Sequence, residues 1–402
     1  MVSADLGHAN GACGAGSIMS VTAAKGFVAA GIHCGIKPSG NADLSLVATA
    51  DAAPVAAAGV FTQNLACAGP VRVSKAHLAA TAGRAAAVVL NSGNANCATG
   101  TDVAVAEEMC ALVAGELGCR PDDVLVCSTG LIGIPLDPAP LRSGVPQIAA
   151  QRRADGGADA ARAIMTTDTV PKEAEASGDG WVVGGMAKGA AMLAPNMATM
   201  LAVLTTDAAI DSARLQASLS AAVRDSFNRI VVDGCTSTND TVLLLASGAA
   251  GAPSDLDAFD AAVADVCLSL ATQMARDAEG HTKVVRIEIT GAASDAEADT
   301  AARKLANSLL VKCSFYGNDP YWGRVLSDLG TAGIALDTDA ITIAYDGIVV
   351  SKGLAPTGAD ASAVAQQPEL TLWCDLGVGT GTAWVLTNDL THAYVDENMG
   401  TS

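Results

Sequence analysis

The chain has 402 residues, enough for two or three ordinary domains or one large interleaved body, and half of its residues are hydrophobic. A formal charge of −19 argues against nucleic acid or an anionic bilayer as partners, because both demand clustered Lys and Arg. Only 3% of the residues are aromatic, so the core must be built from Ala, Val, Leu and Ile at close approach, which points to an α/β or α+β fold.

Residues 1–19 are rich in Gly, Ala and Ser and lack a basic start and an apolar stretch, which predicts a disordered tail and no signal peptide. Residues 85–90 (AAAVVL) read as a short buried strand running into the turn formers NSGNAN, where backbone amides can face a site. A helix is expected from Asp102 to about Leu117, with Val103, Ala106, Met109, Val113 and Leu117 inward and Gly118 as its stop. Residues 123–127 read as a second strand, ending in the polar turn Ser128, Thr129 and Gly130. A helix over residues 158–165 follows, and Thr166, Thr167 and Asp168 fall in a loop fixed by Pro171.

Residues 189–206 carry no charge, a length that a membrane span would need. Pro195 and Asn196 interrupt the run, so it reads instead as a loop leading into a buried strand, Met200 to Leu204, with Thr199 at the junction. Beyond it, helices are expected at 211–227 and 257–276, the second with Phe259, Val263, Val266, Leu270 and Met274 on one face. VVRIEI at 284–289 alternates like a half-buried strand, and Ser294 with Glu297 forms a capping-box pattern for a helix to Leu309. Residues 341–345 and 348–350 form a hairpin across Asp346 and Gly347, and 370–376 with 382–386 read as a last strand pair, joined through Gly377, Gly379 and Gly381.

The eleven cysteines are scattered, odd in number and never in a CxxC pair, which predicts reduced thiols and a cytoplasmic protein; neither they nor the five histidines show metal-ligand spacing. Taken singly, the polar positions are bland. Thr199 is a strand start, Lys188 a surface lysine, Thr129 with Gly130 a turn, and Glu279 with Gly280 a helix terminus. These residues alone describe an α/β body with a polar cleft.

Long blocks in order add to that reading: GIKPSG at 35–40, AAGVFTQN at 57–64, NSGNAN at 91–96, CSTGLIG at 127–133, IMTTDTVPKEA at 164–174 and KGAAMLAPNMATML at 188–201. DGCTSTNDTVLLLASG at 233–248, DAEGHTKVV at 277–285, VKCSFYGNDPYWGRVL at 311–326 and THAYVDEN at 391–398 continue the series. Over nearly its whole length the chain resembles the ornithine acetyltransferase family, the bifunctional glutamate and amino-acid N-acetyltransferases of arginine biosynthesis. The resemblance implies two α/β domains with sheets sandwiched by helices, in an N-terminal-nucleophile-like αββα arrangement. It implies self-cleavage between Ala198 and Thr199, giving an α fragment of residues 20–198 behind the tail and a β fragment of 199–402 that opens on the nucleophile Thr199.

The same resemblance implies an oxyanion hole at Thr129 and Gly130, substrate contacts at Thr166, Lys188, Thr199, Glu279, Asn398 and Ser402, and no metal. The implied substrates are N-acetylornithine and glutamate, with acetyl-CoA admitted as a co-substrate but no resident cofactor, and the implied assembly is an α2β2 pairing of fragments. Glu279 suits a side-chain ammonium and Lys188 a carboxylate. A related self-processing hydrolase or aminopeptidase, or a paralogue with another acyl acceptor, is the alternative. The chain departs from the family pattern at Ala24, at Tyr321 and in a shortened tail after Asn398, where Met399, Gly400, Thr401 and Ser402 stand without the usual tyrosine.

Overall fold

The computed structural model describes residues 20–193 and 200–400. In the first half, β1 (Phe27–Ile32), β2 (Leu44–Thr49), β3 (Val55–Phe61), α1 (Gly69–Ala80), β4 (Arg84–Ala85), β5 (Ala87–Asn94), α2 (Asp102–Leu117) and β6 (Val124–Leu131) lead into α3 (Ala139–Gln151) and α4 (Gly157–Ala163). The antiparallel neighbours β7 (Lys172–Ser177), β8 (Val182–Lys188) and β9 (Leu201–Ala208) follow, then α5 (Ser212–Arg224), β10 (Ile230–Val231), β11 (Thr241–Gly251) and α6 (Leu256–Ala275). The last part holds β12 (Val284–Ala292), α7 (Asp295–Ala306), α8 (Leu309–Tyr316), α9 (Trp322–Leu329), β13 (Thr342–Tyr345), β14 (Ile348–Lys352), β15 (Ala355–Pro356), α10 (Ser362–Ala365), β16 (Glu369–Asp375), β17 (Gly381–Asn388) and α11 (His392–Asn398).

Among the described residues the strands form three sheets. A four-stranded sheet has the order β1-β2-β5-β6 and a six-stranded sheet the order β4-β3-β11-β9-β8-β7. Side chains on a strand alternate between faces, and the alternation here sorts residues between two cores. Val88, Leu90, Leu125 and Cys127 from the first sheet meet Leu201, Val203, Leu243 and Leu245 from the second. Their neighbours Ala87, Val89, Val124 and Val126 turn the other way, toward Met109, Val113 and Ile148 of α2 and α3. Ala202, Leu204, Val242 and Leu244 turn toward Leu215, Leu219, Val263 and Leu270 of α5 and α6. Helices, two facing sheets and helices again make four layers, the expected αββα arrangement. The seven-stranded sheet β10-β17-β12-β16-β13-β14-β15 builds a further core with α7, α8 and α9.

Several expectations hold to within a residue or two. Helix α2 stops at Gly118 with φ of 74°, a left-handed C-cap that glycine adopts without a side-chain clash, although Val103 and Leu117 are only half-buried. Helix α6 buries all five of its expected inward residues, and α5 is capped by Asp211, which accepts from the Arg214 amide. Among the described residues, α6 alone is long and apolar enough to cross a membrane, and half of its most apolar window is buried within the protein. The uncharged stretch ahead of Asp207 enters the six-stranded sheet as β9.

Other details differ. The 370–376 and 382–386 strands do not pair with each other: β12 lies between them, parallel to β16 and antiparallel to β17, so the glycines at 377–381 cross over a strand instead of closing a hairpin. The capping box is half formed, because Ser294 accepts from the Glu297 amide while the Glu297 carboxylate reaches to the Ala335 amide. The helix beyond it ends at Ala306, and α8 starts afresh at Leu309, capped by Ser308. Strands β5 and β6 run on through the supposed turns, pairing Asn91 with Ser128 and Ser92 with Thr129.

Candidate functional site

The site begins where β5 and β6 end side by side. Ser128 Oγ donates to Asn91 Oδ1 at 2.5 Å, and the Asn91 amide donates to the Asn94 carbonyl at 2.9 Å, so polar groups tie this strand end together in a buried setting. Asn239 Nδ2 bridges the two strands by donating to the carbonyls of Ala95 and Ser128, at 2.6 and 2.9 Å. Gly130 sits at φ of 135°, and a Cβ there would lie 2.4 Å from the Asn94 nitrogen. Only glycine fits, which leaves the backbone exposed immediately beyond the buried Thr129.

Lys188, the last residue of β8, is 3% exposed and donates from Nζ to Thr129 Oγ1 at 3.3 Å. Its nearest carboxylate oxygen, on Asp168, is 3.9 Å away. Burial therefore dominates and pushes the ammonium below its ordinary pKa, while Asp168, Glu279 and Asp240 pull the other way. Asp168 is held by the Thr166 and Gly189 amides at 3.0 and 2.7 Å and by Lys172 Nζ at 2.7 Å. Its burial favours the neutral form, but Lys188, Lys172 and these hydrogen bonds outweigh it and hold the carboxyl at about 2. Lys172 is fully buried and donates also to Asp277 at 2.6 Å.

The chain between β8 and β9 leaves and re-enters at fixed points. Leu193 bridges Thr236, and its carbonyl accepts from the Val232 amide. At the other end, the Met200 amide donates to Asp240 Oδ1 at 2.9 Å and the Met200 carbonyl accepts from the Thr241 amide at 3.1 Å. Lys188 pairs with Leu201 in register. Ala198 and Thr199, expected to form the cleavage bond and the nucleophile, lie outside the described residues, as do Ser402 and the tail at 1–19.

Glu279 follows α6, and its amide donates to the Ala190 carbonyl at 2.9 Å, joining it to the loop after Lys188. Asn398, at the end of α11, donates to Glu279 Oε2 at 2.8 Å. This contact needs Gly280, whose φ is 59° and whose missing Cβ would stand 2.2 Å from the Tyr394 nitrogen. Beside Glu279 lies a cavity of about 90 Å³ lined also by Asp233, Asp389, Lys312 and Tyr394. Burial raises the Asp233 carboxyl and lowers Lys312 to about 8.

Thr129 and Lys188 are thus in direct contact, Thr166 joins them through Asp168, and Glu279 with Asn398 forms a second pair within electrostatic reach of Lys188. Asp168 was placed in a loop from the sequence but given no role at the site, and Lys172, Asp240 and Asn239 were not singled out. Asp168 and Lys172 stand inside IMTTDTVPKEA, and Asn239 with Asp240 inside DGCTSTND, so the blocks were visible but the burial of these groups was not. Among the described residues no group of three or more His, Cys, Asp or Glu side chains is placed to hold a metal ion.

A model of the ArgJ family matches residues 28–400. The chain is 48% identical to the arginine biosynthesis bifunctional protein ArgJ of Streptomyces coelicolor over 389 residues, covering 96% of this chain and 100% of that protein. It is 46% identical to the protein of the same name from Mycobacterium tuberculosis over 392 residues, covering 95% and 96%. Among solved structures it is similar to ornithine acetyltransferase complexed with ornithine from Mycobacterium tuberculosis, at 44% identity and a TM-score of 0.42, over 44% of this chain and 95% of that one.

Proposed function

The chain belongs to the ArgJ family, and from that premise we propose that it is a self-processing acetyltransferase of arginine biosynthesis, moving acetyl from N2-acetylornithine to glutamate through acetyl-Thr199. The observation that carries the reading is the convergence on one junction. Lys188 touches Thr129 at the end of β8, and the neighbouring strand begins at Leu201, two residues past Thr199.

In this reading the Thr199 hydroxyl attacks the Ala198 carbonyl, the acyl group shifts from nitrogen to oxygen, and water hydrolyses the ester. The freed amine has an unperturbed pKa of roughly 7.7 to 8.0, so near neutrality it takes the proton of its own hydroxyl. Acetylornithine then acylates Thr199, ornithine departs, and the glutamate amine accepts the acetyl group. Both half-reactions pass through an oxyanion at Thr129 and the Gly130 amide, where losing one donor costs about 2.7 to 4 kcal/mol. Lys188 takes a substrate carboxylate, Glu279 the ornithine ammonium, and Thr166, Asn398 and Ser402 complete the contacts. Acetyl-CoA serves as a second acetyl donor, and two αβ pairs assemble as α2β2 in the cytoplasm.

The test is N-terminal sequencing of the purified protein after denaturing electrophoresis, together with acetyl transfer from N2-acetylornithine to glutamate. Two fragments, one starting at Thr199, are expected; any other start removes the mechanism. Release of acetate without an amine acceptor would instead favour a hydrolase. Glu279→Gln is expected to raise KM for acetylornithine, and an unchanged KM would remove the ammonium assignment.

A further inference from the structure

The block GIKPSG at 35–40 carries a lysine, Lys37, that the proposed chemistry does not use. Its loop is built around one carboxylate. Asp43 is fully buried and accepts from the amides of Cys34, Gly35, Ile36 and Lys37 at 2.6, 3.2, 2.8 and 2.9 Å, which holds the backbone that presents Lys37 in one shape. The Lys37 stem lies against Gly93, where a Cβ would stand 2.8 Å from the lysine Cγ. Gly93 pairs in register with Gly130, so this lysine crosses the ends of β5 and β6 beside the expected oxyanion hole.

The ammonium reaches the turn that Lys188 also approaches. Lys37 Nζ donates to the carbonyls of Ala42 and Met165 at 2.9 and 2.6 Å. Met165 precedes Thr166, whose amide donates to Asp168 Oδ2 at 3.0 Å, and that same oxygen lies 3.9 Å from Lys188 Nζ. Both acceptors of Lys37 are neutral carbonyls, and an ammonium carries three N–H groups, so a donor and a charge are left over. Burial lowers the Lys37 pKa, with Asp43 and Asp168 opposing and the Lys188 charge adding to the effect, which puts the two ammoniums within electrostatic reach of each other.

Two such cations beside one oxyanion hole exceed what acetylornithine needs, since that molecule carries a single carboxylate. Glutamate carries two. We propose that Lys37 binds the second carboxylate of the acceptor glutamate while Lys188 binds the first. The inference rests on the acetyltransferase reading and adds to it the residue that selects a dicarboxylic acceptor. A site built to hydrogen-bond a charged group rejects the analogue that lacks it, because the protein's own charge is then left desolvated without a partner. Glutamine is the matching probe, with the length and shape of glutamate but a neutral end.

The experiment compares glutamate with glutamine as acceptors, with N2-acetylornithine as donor, in wild type and in Lys37→Met, which keeps an apolar stem against Gly93. Wild type is expected to favour glutamate about a hundredfold in kcat/KM. In Lys37→Met that preference should fall at least about tenfold through the KM for glutamate, while the KM for acetylornithine stays within about threefold. A role confined to holding the Met165 carbonyl would weaken both acceptors alike, so an unchanged glutamate-to-glutamine ratio overturns the proposal. A crystal structure of the wild type with glutamate needs no variant: a carboxylate oxygen within about 3.2 Å of Lys37 Nζ is expected, and a longer separation overturns the assignment. The two readings fail separately. A wild type that never acetylates glutamate sinks both, whereas one that does, with a preference that Lys37→Met leaves intact, sinks this inference alone.

Discussion

Lys172 opens β7 and Lys188 closes β8, side by side at the open end of the β7–β8 hairpin where Lys172 pairs with Ala187; both are buried, and they are bonded in opposite ways. Lys172 is clamped between Asp168 and Asp277 at 2.7 and 2.6 Å, so its charge is compensated and fixed. Lys188 has one neutral hydroxyl at 3.3 Å and no carboxylate oxygen nearer than 3.9 Å. A dehydrated ammonium without close partners is poised for an anionic ligand, while a saturated one only holds the fold. Asp168 couples the two, since it is held by Lys172 and the Thr166 and Gly189 amides and still lies beside Lys188. Burial alone therefore does not mark a functional lysine; incomplete pairing does.

The largest expected effect breaks the saturated side. Lys172→Met strands two buried carboxylates and is expected to cost about 3–5 kcal/mol in urea unfolding, and a loss under 1 kcal/mol would show that the clamp is not structural. Lys188→Met is expected to invert the pattern. Stability should stay within about 1 kcal/mol of wild type, because removing an underpaired buried charge relieves its desolvation, while kcat/KM falls at least a hundredfold, about 2.7 kcal/mol. Equal losses in the two variants would erase the distinction.

Lys312 sharpens the comparison as a third case, buried with neutral acceptors only: the Val232 and Asn388 carbonyls and the Thr387 hydroxyl. Burial lowers it from 10.5 to about 8 in the folded state, so between those values the unfolded chain binds more protons. Stability should accordingly rise as pH climbs from about 8 toward 10.5, by on the order of 3 kcal/mol from this group. Urea titrations across that window in wild type and in Lys312→Met check it: the slope should flatten in the variant, and an identical slope would remove the assignment.

Much of the architecture was legible because local rules and the tertiary fold agree. Helix α6 has a clean 3.6-residue period over twenty residues, α2 has a glycine stop, and β13–β14 turns at Asp346 and Gly347, whose φ values of 43° and 80° suit that Asp-Gly pair. The 370–386 region misled because adjacency in sequence suggested pairing, and nothing in the two strands reveals that β12 inserts between them. At the site, Thr129, Gly130, Thr166, Lys188, Glu279 and Asn398 were reached through motif blocks. Spacing could not have joined them, since Lys188 lies 59 residues from its Thr129 partner and Asn398 lies 119 from Glu279.

By itself, then, the sequence determined the family, the alternation that sorts side chains between layers, and the buried strand at the end of the uncharged run, which is β9 from Leu201. Only the tertiary structure decided which charges are paired. Asp168, Asp240, Lys172 and Lys312 are ordinary ionisable residues in a sequence, and desolvation and hydrogen-bond partners arise only once distant strands close around them.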